Sequence, residues 1–485
     1  MDLQPVLDWL TNALYTYWLV YVLVGVGLWF TLRTGAVQVR MFPAMVRQVL
    51  ASRSGAEGGI SSFQAFAVGL ASRVGTGNIA GVAVALTLGG PGAVFWMWVV
   101  AAVGMATALV EATLAQVFKV RAADGSYRGG PAYYIQRGLG SRRWGVVFAL
   151  LLIFTFGFAF NMVQANTIAD TLSTSHEVPV AWTAVALMIL AAPVLFGGVR
   201  RVARVAEVML PVMAGAYLLL ALVIVALNVS ALPGVLGQIV RGAFGLDTAL
   251  AGTAGGILAA VLNGARRGLF SNEAGMGSAP NTAATATVSH PVKQGLVQSL
   301  GVFVDTMLVC SATAFIVLSA GPDVYVPGST GQSAGAALTA DAVAHELGTW
   351  TTGLMTVIVF VFAFSSVLGN YAYAEVNLTF LGVRGAALNA LRTLVLASVG
   401  IGSLLALGTV WAVADIAMAL MATVNLVAIL LLSRWALGAL ADYRRAVADG
   451  GDRRFVGHGN PLLPGDVPGA VWAPGADDRA PQPVP

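Results

Sequence analysis

The sequence predicts an all-α integral membrane protein of about 11 transmembrane helices, built as two inverted five-helix repeats preceded by one extra helix. Three observations predict it. First, 58% of the 485 residues are hydrophobic and only 10% are charged, against roughly 25% charged in a soluble domain, and the mean hydropathy is +0.81. Second, apolar windows long enough to cross about 30 Å of hydrocarbon recur along most of the chain. Third, two glycine-rich breaks, Gly75-Thr76-Gly77-Asn78 and Phe270-Ser271-Asn272-Glu273-Ala274-Gly275-Met276-Gly277, interrupt apolar windows in corresponding places of the two halves. Irregular backbone is tolerated at membrane depth only where protein covers it or a hydrated cavity receives it, and paired breaks point to a transporter's binding site.

The windows fall near 14–32, 63–88, 93–117, 145–172, 180–198, 205–228, 250–283, 295–319, 350–378, 387–408 and 411–437. The longest contain a glycine break or the Gly369-Asn370 step, where extra length compensates for unwinding or tilt. No Lys or Arg precedes the first apolar run and no small-residue cleavage site follows it, so the first span is expected to stay. Arg and Lys concentrate in alternate loops, from Arg33, Arg40, Arg47 and Arg53 through Lys119–Arg143, Arg200–Arg204, Lys293 and Arg384 to Arg444–Arg454. The positive-inside rule then places the N-terminus outside and the C-terminus in the cytoplasm. The chain divides into 1–60 (extra helix and cytoplasmic loop), 61–230 (first repeat), 231–440 (second repeat) and 441–485 (a cytoplasmic tail, Pro- and Gly-rich and expected to be partly disordered). Five is odd, so the second repeat must run inverted, which is the logic of many secondary transporters.

Other classes fit poorly. The net charge of +4 reflects dispersed basic residues without interleaved aromatics, which argues against nucleic acid. Cys310 is the only cysteine, which excludes an intrachain disulfide and any multi-cysteine metal site. His176, His290, His345 and His458 fall in loops or the tail and make no metal constellation. A membrane enzyme lacks an exposed acid/base set, and a passive channel would need a continuous polar pore rather than polar groups gathered at two breaks. The intramembrane acids Glu111, Asp305, Glu375 and Asp415 would, taken alone, be candidate proton carriers.

The runs Gly75–Val82, Gly89–Trp98, Gly129–Tyr134 and Arg267–Pro280 resemble the alanine/glycine:cation (sodium:alanine) symporter family of the APC superfamily, from roughly residue 10 to 445. The resemblance implies a LeuT-type 5+5 core and sodium-coupled uptake of a small neutral amino acid, alanine or glycine, by alternating access across a bacterial inner membrane. The substrate would lie between the second, fourth, seventh and ninth spans. It implies no cofactor; sodium is the coupling ion, and the oligomeric state is not specified. At the first break, freed N–H groups and the positive end of a half-helix suit a carboxylate, which makes Thr76, Gly77 and Asn78 candidates; the alternative is close helix packing. Gln164, Phe270, Asn272 and Ala274 complete the implied substrate contacts. A sodium site is implied at Ala71, Val74, Phe362, Ser365 and Ser366. Positions 362, 365 and 366 share one helix face, although serines in apolar helices also bond back to their own carbonyls. Glu273 either accepts freed N–H groups or faces a vestibule beside Arg266 and Arg267.

Two residues depart from the pattern of many sodium:alanine symporters. Arg73 stands where a small residue such as Thr is common, either contacting the substrate carboxylate or substituting for a second cation, with Asp305 or Glu375 as partner. Asn370 stands where Trp is common, joins the substrate candidates, and makes glutamine or asparagine a competing substrate. Proton-coupled transport is the other alternative.

Overall fold

The computed structural model describes residues 3–51, 60–122, 125–246, 256–328, 335–450 and 454–475. In chain order the helices used below are α1 (Gln4–Arg33), α2 (Ser62–Arg73), α3 (Gly77–Gly89), α4 (Gly92–Val117), α5 (Arg142–His176), α6 (Val180–Leu195) and α7 (Val199–Leu227). They continue with α8 (Gly256–Asn272), α9 (Pro280–Ala283), α10 (Pro291–Ser319), α11 (Thr351–Phe380), α12 (Ala386–Leu404), α13 (Leu407–Leu431) and α14 (Ser433–Ala448). Eight of the described helices are long and apolar enough to cross a membrane: α1, α4, α5, α10, α11, α12, α13 and the Arg204–Leu227 part of α7. The other three expected windows hold α2–α3 and α8–α9, each broken at its glycine segment, and the short apolar α6. The single strand pair in the described chain is a ribbon joining Val120–Arg121 to Tyr127–Arg128.

Local chemistry sets the ends that matter. Ser61 and Gln64 form a reciprocal capping box at the start of α2, Gln64 N–H donating to Ser61 Oγ at 3.1 Å and Ser61 N–H to Gln64 Oε1 at 3.0 Å; this satisfies two donors that the first turn leaves orphaned. Pro280 and Pro291 occupy the first turns of α9 and α10, where a missing N–H costs nothing. The Gly369-Asn370 step does not unwind: α11 runs through it unbroken. Glycine is needed there for a close approach, because a Cβ at Gly369 would lie 2.9 Å from the backbone of Ser72. Small residues let two helix backbones approach in this way.

The broken helices occupy the centre. α2 packs against α7 and α11, α8 against α3 and α4, α10 against α4, and α5 against α11 and α12. The tail departs from the composition-based expectation, since residues 454–475 are packed: Phe455, Val467 and Trp472 are buried. Phe455 N–H donates to Ser289 O at 2.9 Å, Trp472 Nε1–H donates to Gln116 O at 2.9 Å, and the two rings meet edge to face at 5.4 Å. Aromatic payload outweighs the Pro/Gly content here. Positions 476–485, including the terminal Pro481–Pro485 run, lie outside the described residues.

Candidate functional site

At the first break the chain leaves helical geometry at Val74 (φ −76°, ψ 87°) and re-enters it in the wide π turn Gly77–Gly81. Two of the freed N–H groups are already paired. Gly75 N–H donates to Asn78 Oδ1 at 2.8 Å and Thr76 N–H to Gln164 Oε1 at 3.2 Å. Asn78 is spent on its surroundings, its Nδ2 donating to Asp305 Oδ1 at 2.7 Å and to Asp305 O at 3.2 Å. Thr76 Oγ1 is buried without a partner, so it is the side-chain atom of this break left free for a ligand.

At the second break Glu273 (φ +58°), Gly275 (φ +89°) and Gly277 (φ +82°) adopt left-handed backbone. Glycine takes that conformation freely, whereas for glutamate it must be held by the surroundings. Asn272 Oδ1 accepts from Ala274 N–H at 2.9 Å, and its Nδ2 donates to Thr306 Oγ1 at 3.3 Å. Neither alternative expected for Glu273 is what the structure has. Its carboxyl meets hydroxyls, Ser72 Oγ at 2.8 Å and Ser278 Oγ at 2.6 Å, and the freed Gly275 N–H goes instead to Glu111 Oε1 at 3.3 Å. Asn425 braces the same turn, donating to Glu111 Oε2 and to Gly275 O at 2.9 Å each, while Tyr134 OH donates to Asn425 Oδ1.

The two breaks touch. A Cβ at Gly77 would lie 3.0 Å from Phe270 Cδ1 and 3.1 Å from Ser271 Cα, so any larger residue there would push Phe270 and the Ser271 backbone away by a few tenths of an ångström. Asp305 pins both sides, taking Asn78 from the first break and Ser271 Oγ from the second at 2.8 Å, with Thr306 Oγ1 also at 2.8 Å. Phe270 sits between Phe160 and Trp411, with ring centroids 4.4 and 4.6 Å away. Above this stack Arg267 lies 4.2 Å over Trp411 and is ion-paired with Asp415. Beyond it opens a vestibule of about 400 Å³ bordered by Gln4, Asp8, Asn12, Arg266 and the pair itself.

Beside the first break, oxygens converge. Ser366 Oγ lies 3.1 Å from Ala71 O, 3.0 Å from Ser72 O and 3.2 Å from Phe362 O; Ser365 Oγ lies 2.8 Å from Phe362 O and 3.4 Å from Ala71 O. Four of the five residues expected to hold sodium are thus brought together, with Val74 buried at the adjoining helix end. Hard oxygen donors of this kind suit a hard cation.

Arg73 is 1% exposed, yet its one described hydrogen bond runs to Gln298 O at 3.3 Å, and its Nε and Nη2 have no partner. Neither expected partner pairs with it: Asp305 is engaged as above, and Glu375 lies 3.5 Å from Arg392 and accepts from Tyr371. Asn370 is tied rather than open, its Oδ1 2.7 Å from Ser72 Oγ and its Nδ2 donating to Asn161 Oδ1 at 3.0 Å. Ser72, Asn161 and Trp411 join this site without having been expected; Ser72 adjoins the first break and so carried a signal, whereas Asn161 in α5 and Trp411 in α13 lie far from both breaks in sequence.

The family profile described as "Sodium:alanine symporter family" matches residues 1–456. The chain is 49% identical over 447 residues to the amino-acid carrier protein AlsT of Bacillus subtilis, covering 92% of this chain and 93% of that one. It is 44% identical to the probable sodium/glutamine symporter GlnT of the same organism, with 93% of each covered. Among solved structures, a manganese transporter of Eremococcus coleocola shares the fold, with a TM-score of 0.56 at 12% identity over 83% of this chain and 82% of that one.

Proposed function

Because the chain belongs to the sodium:alanine symporter family, we propose that this multi-pass membrane protein couples sodium entry to uptake of a small neutral amino acid, alanine or glycine, by alternating access across a bacterial inner membrane. The N-terminus lies outside and the C-terminus in the cytoplasm. The windows act as 11 spans, and α2–α7 and α8–α13 form the inverted repeats. The single observation that carries the reading is the meeting of the two helix breaks at Gly77 and Phe270 beside the oxygen cluster of Ala71, Phe362, Ser365 and Ser366. Sodium binds at that cluster with Val74. The amino acid binds against Thr76, Gly77, Asn78, Gln164, Phe270, Asn272, Ala274 and Asn370, displacing some of the hydrogen bonds that now close the breaks. Arg73 acts as a fixed cation rather than as a carboxylate fork, its one described hydrogen bond running to Gln298 O. Glutamine is the second reading, supported by the polar Asn370 and by the name of the GlnT relative.

The test is uptake of labelled alanine, glycine and glutamine into proteoliposomes under an inward sodium gradient, with potassium and proton-gradient controls. Accumulation above equilibrium that requires sodium is expected, and competition ranks the substrates. Flux that is only downhill, or indifferent to sodium, overturns the assignment.

A further inference from the structure

On the outer surface of the bundle an apolar groove of about 460 Å³ runs between the end of α13, the start of α5 and the short helix Pro131–Gly138. Thr423, Val427 and Leu431 recur every fourth residue along α13 and so share one face; Ile135, Leu139 and Trp144 complete the lining. The few polar atoms in it are already engaged. Thr423 Oγ1 accepts from Trp18 Nε1–H at 3.0 Å and donates to Ala419 O at 2.8 Å, while Ser141 Oγ accepts from Trp144 N–H at 3.5 Å. Such a trough offers little to a polar solute and suits hydrocarbon. Trp144 and Leu431 are 58% and 65% exposed, so it opens outward from two helices long and apolar enough to cross a membrane, where the surrounding solvent is lipid.

One end of the groove is basic. α5 begins and α13 ends there, beside the runs Lys119–Arg143 and Arg434–Arg454. Arg434 follows the lining residue Leu431 by three positions, in the first turn of α14, and Arg143 stands one position before Trp144, a ring of the kind that settles at the bilayer interface. Both arginines are exposed, and neither has a hydrogen bond or ion pair among the described residues. Arg142 is engaged elsewhere, donating to Gln136 Oε1 at 3.3 Å and lying 5.6 Å over the Phe380 ring. The described residues bordering the groove include no Asp or Glu. Two guanidiniums without partners at the end of an apolar trough match a phosphate joined to a hydrocarbon chain.

We propose that this groove binds an anionic phospholipid, one acyl chain lying against Val427 and Trp144 and the phosphate held by Arg143 and Arg434. The site requires only that the chain is embedded in a bilayer, and stands apart from the transport reading. It does touch the breaks from behind. Tyr134 and Asn425, which brace the second break, are one position from the lining residues Ile135 and Val424, so a lipid seated outside stiffens the two elements that hold that turn.

Native mass spectrometry of the full-length protein in detergent, titrated with phosphatidylglycerol or phosphatidylcholine, reads the site through the first lipid bound. Phosphatidylglycerol should bind at lower concentration than phosphatidylcholine. The R143Q/R434Q double variant should weaken phosphatidylglycerol about 25-fold, about fivefold for each arginine, and leave phosphatidylcholine unchanged. V427W, which fills the trough, should weaken both lipids with the two arginines still in place. Only compact, folded ions are counted, so lost stability does not pass for lost binding. Equal binding of the two lipids by the unmodified protein, or a double variant that keeps the preference for phosphatidylglycerol, overturns the proposal. A lipid-free dimer that V427W dissociates also overturns it, because the groove then belongs to a second copy of this chain. Neither sodium nor an amino acid is present in the measurement, so its failure and a failure of sodium-driven uptake are separate results.

Discussion

Replacing Ser366 by Ala should raise the sodium concentration needed for half-maximal uptake by about 2–30-fold, and the figure follows from the contacts. Ser366 Oγ sits within 3.0–3.2 Å of three carbonyls, those of Ala71, Ser72 and Phe362. It can give its hydrogen to only one of them, and a cation placed among them would take its lone pair. A polar contact to a charged group contributes roughly 1.5–3 kcal/mol, and turning the hydroxyl away from its present acceptor forfeits about 1 kcal/mol. The net loss is about 0.5–2 kcal/mol, or about 2–30-fold at 1.4 kcal/mol per decade. Ser365 lies 3.4 Å from Ala71 O and bonds chiefly to Phe362 O of its own helix, so S365A should shift the sodium curve less than S366A. The assay is initial-rate uptake against external sodium at saturating amino acid. Unchanged sodium dependence in both variants, with normal protein levels, would refute the placement of the cation between α2 and α11.

Three further outcomes are expected. At Asp305, D305N should keep measurable uptake, because a rotated amide can still accept from Asn78 and donate to the Ser271 and Thr306 hydroxyls, whereas D305A leaves those donors unpaired at about 1–3 kcal/mol each; thermal unfolding in detergent and uptake should both separate the two variants, and equal effects would count against the pin. G77A should lower uptake roughly tenfold or more without loss of expression, since its Cβ would press on the Ser271 backbone and overpacking costs about 1–3 kcal/mol; wild-type rates would mean that the breaks do not close as described. W472A should make the segment after α14 cleave faster in limited proteolysis, because the change removes the bond to Gln116 O and the contact with Phe455, a loss of about 3–5 kcal/mol for a buried aromatic.

What the sequence made legible is what depends on local composition. Span positions follow from hydropathy and length, so the windows and helices coincide closely along the chain. The breaks were legible because glycine clusters inside apolar windows have few other uses. The pairing of Ser365 and Ser366 with Phe362 was legible because helical spacing alone puts them on one face. The partners were not. Asn78 meets Asp305 across 227 positions, Glu111 meets Gly275 across 164, and Ser72 meets Glu273 across 201. A polar residue in an apolar helix announces that it needs a partner, but nothing in its neighbourhood names the helix that supplies it. That is why Glu273 is expected either to accept freed N–H groups or to face a vestibule beside Arg266 and Arg267, while the Gly275 N–H goes to Glu111 on α4. Within the tail, average composition did not show that residues 454–475 would pack, because a few aromatics at the right positions suffice to hold a short segment.

Under the proposed reading, sodium can drive uptake only by binding one arrangement more tightly than another. The oxygen cluster joins the last turn of α2 to the middle of α11, so its geometry holds only while α2 lies against α11. Ser72 carries that condition to the substrate side, its carbonyl facing Ser366 and its hydroxyl lying between Asn370 and the Glu273 carboxyl of the second break. Moving a conformational equilibrium from 1:99 to 99:1 takes roughly 5.5 kcal/mol of differential binding. One serine supplies about 0.5–2 kcal/mol of that by the reckoning above, and the remaining oxygens of the cluster are the Ser365 hydroxyl and backbone carbonyls already engaged with hydroxyls. The ion therefore shifts the balance without completing the closure, and the remainder must come from groups that bridge the two breaks. An amino acid seated between Thr76 and Phe270 is placed to supply it, which makes uptake depend on both ligands rather than on either alone.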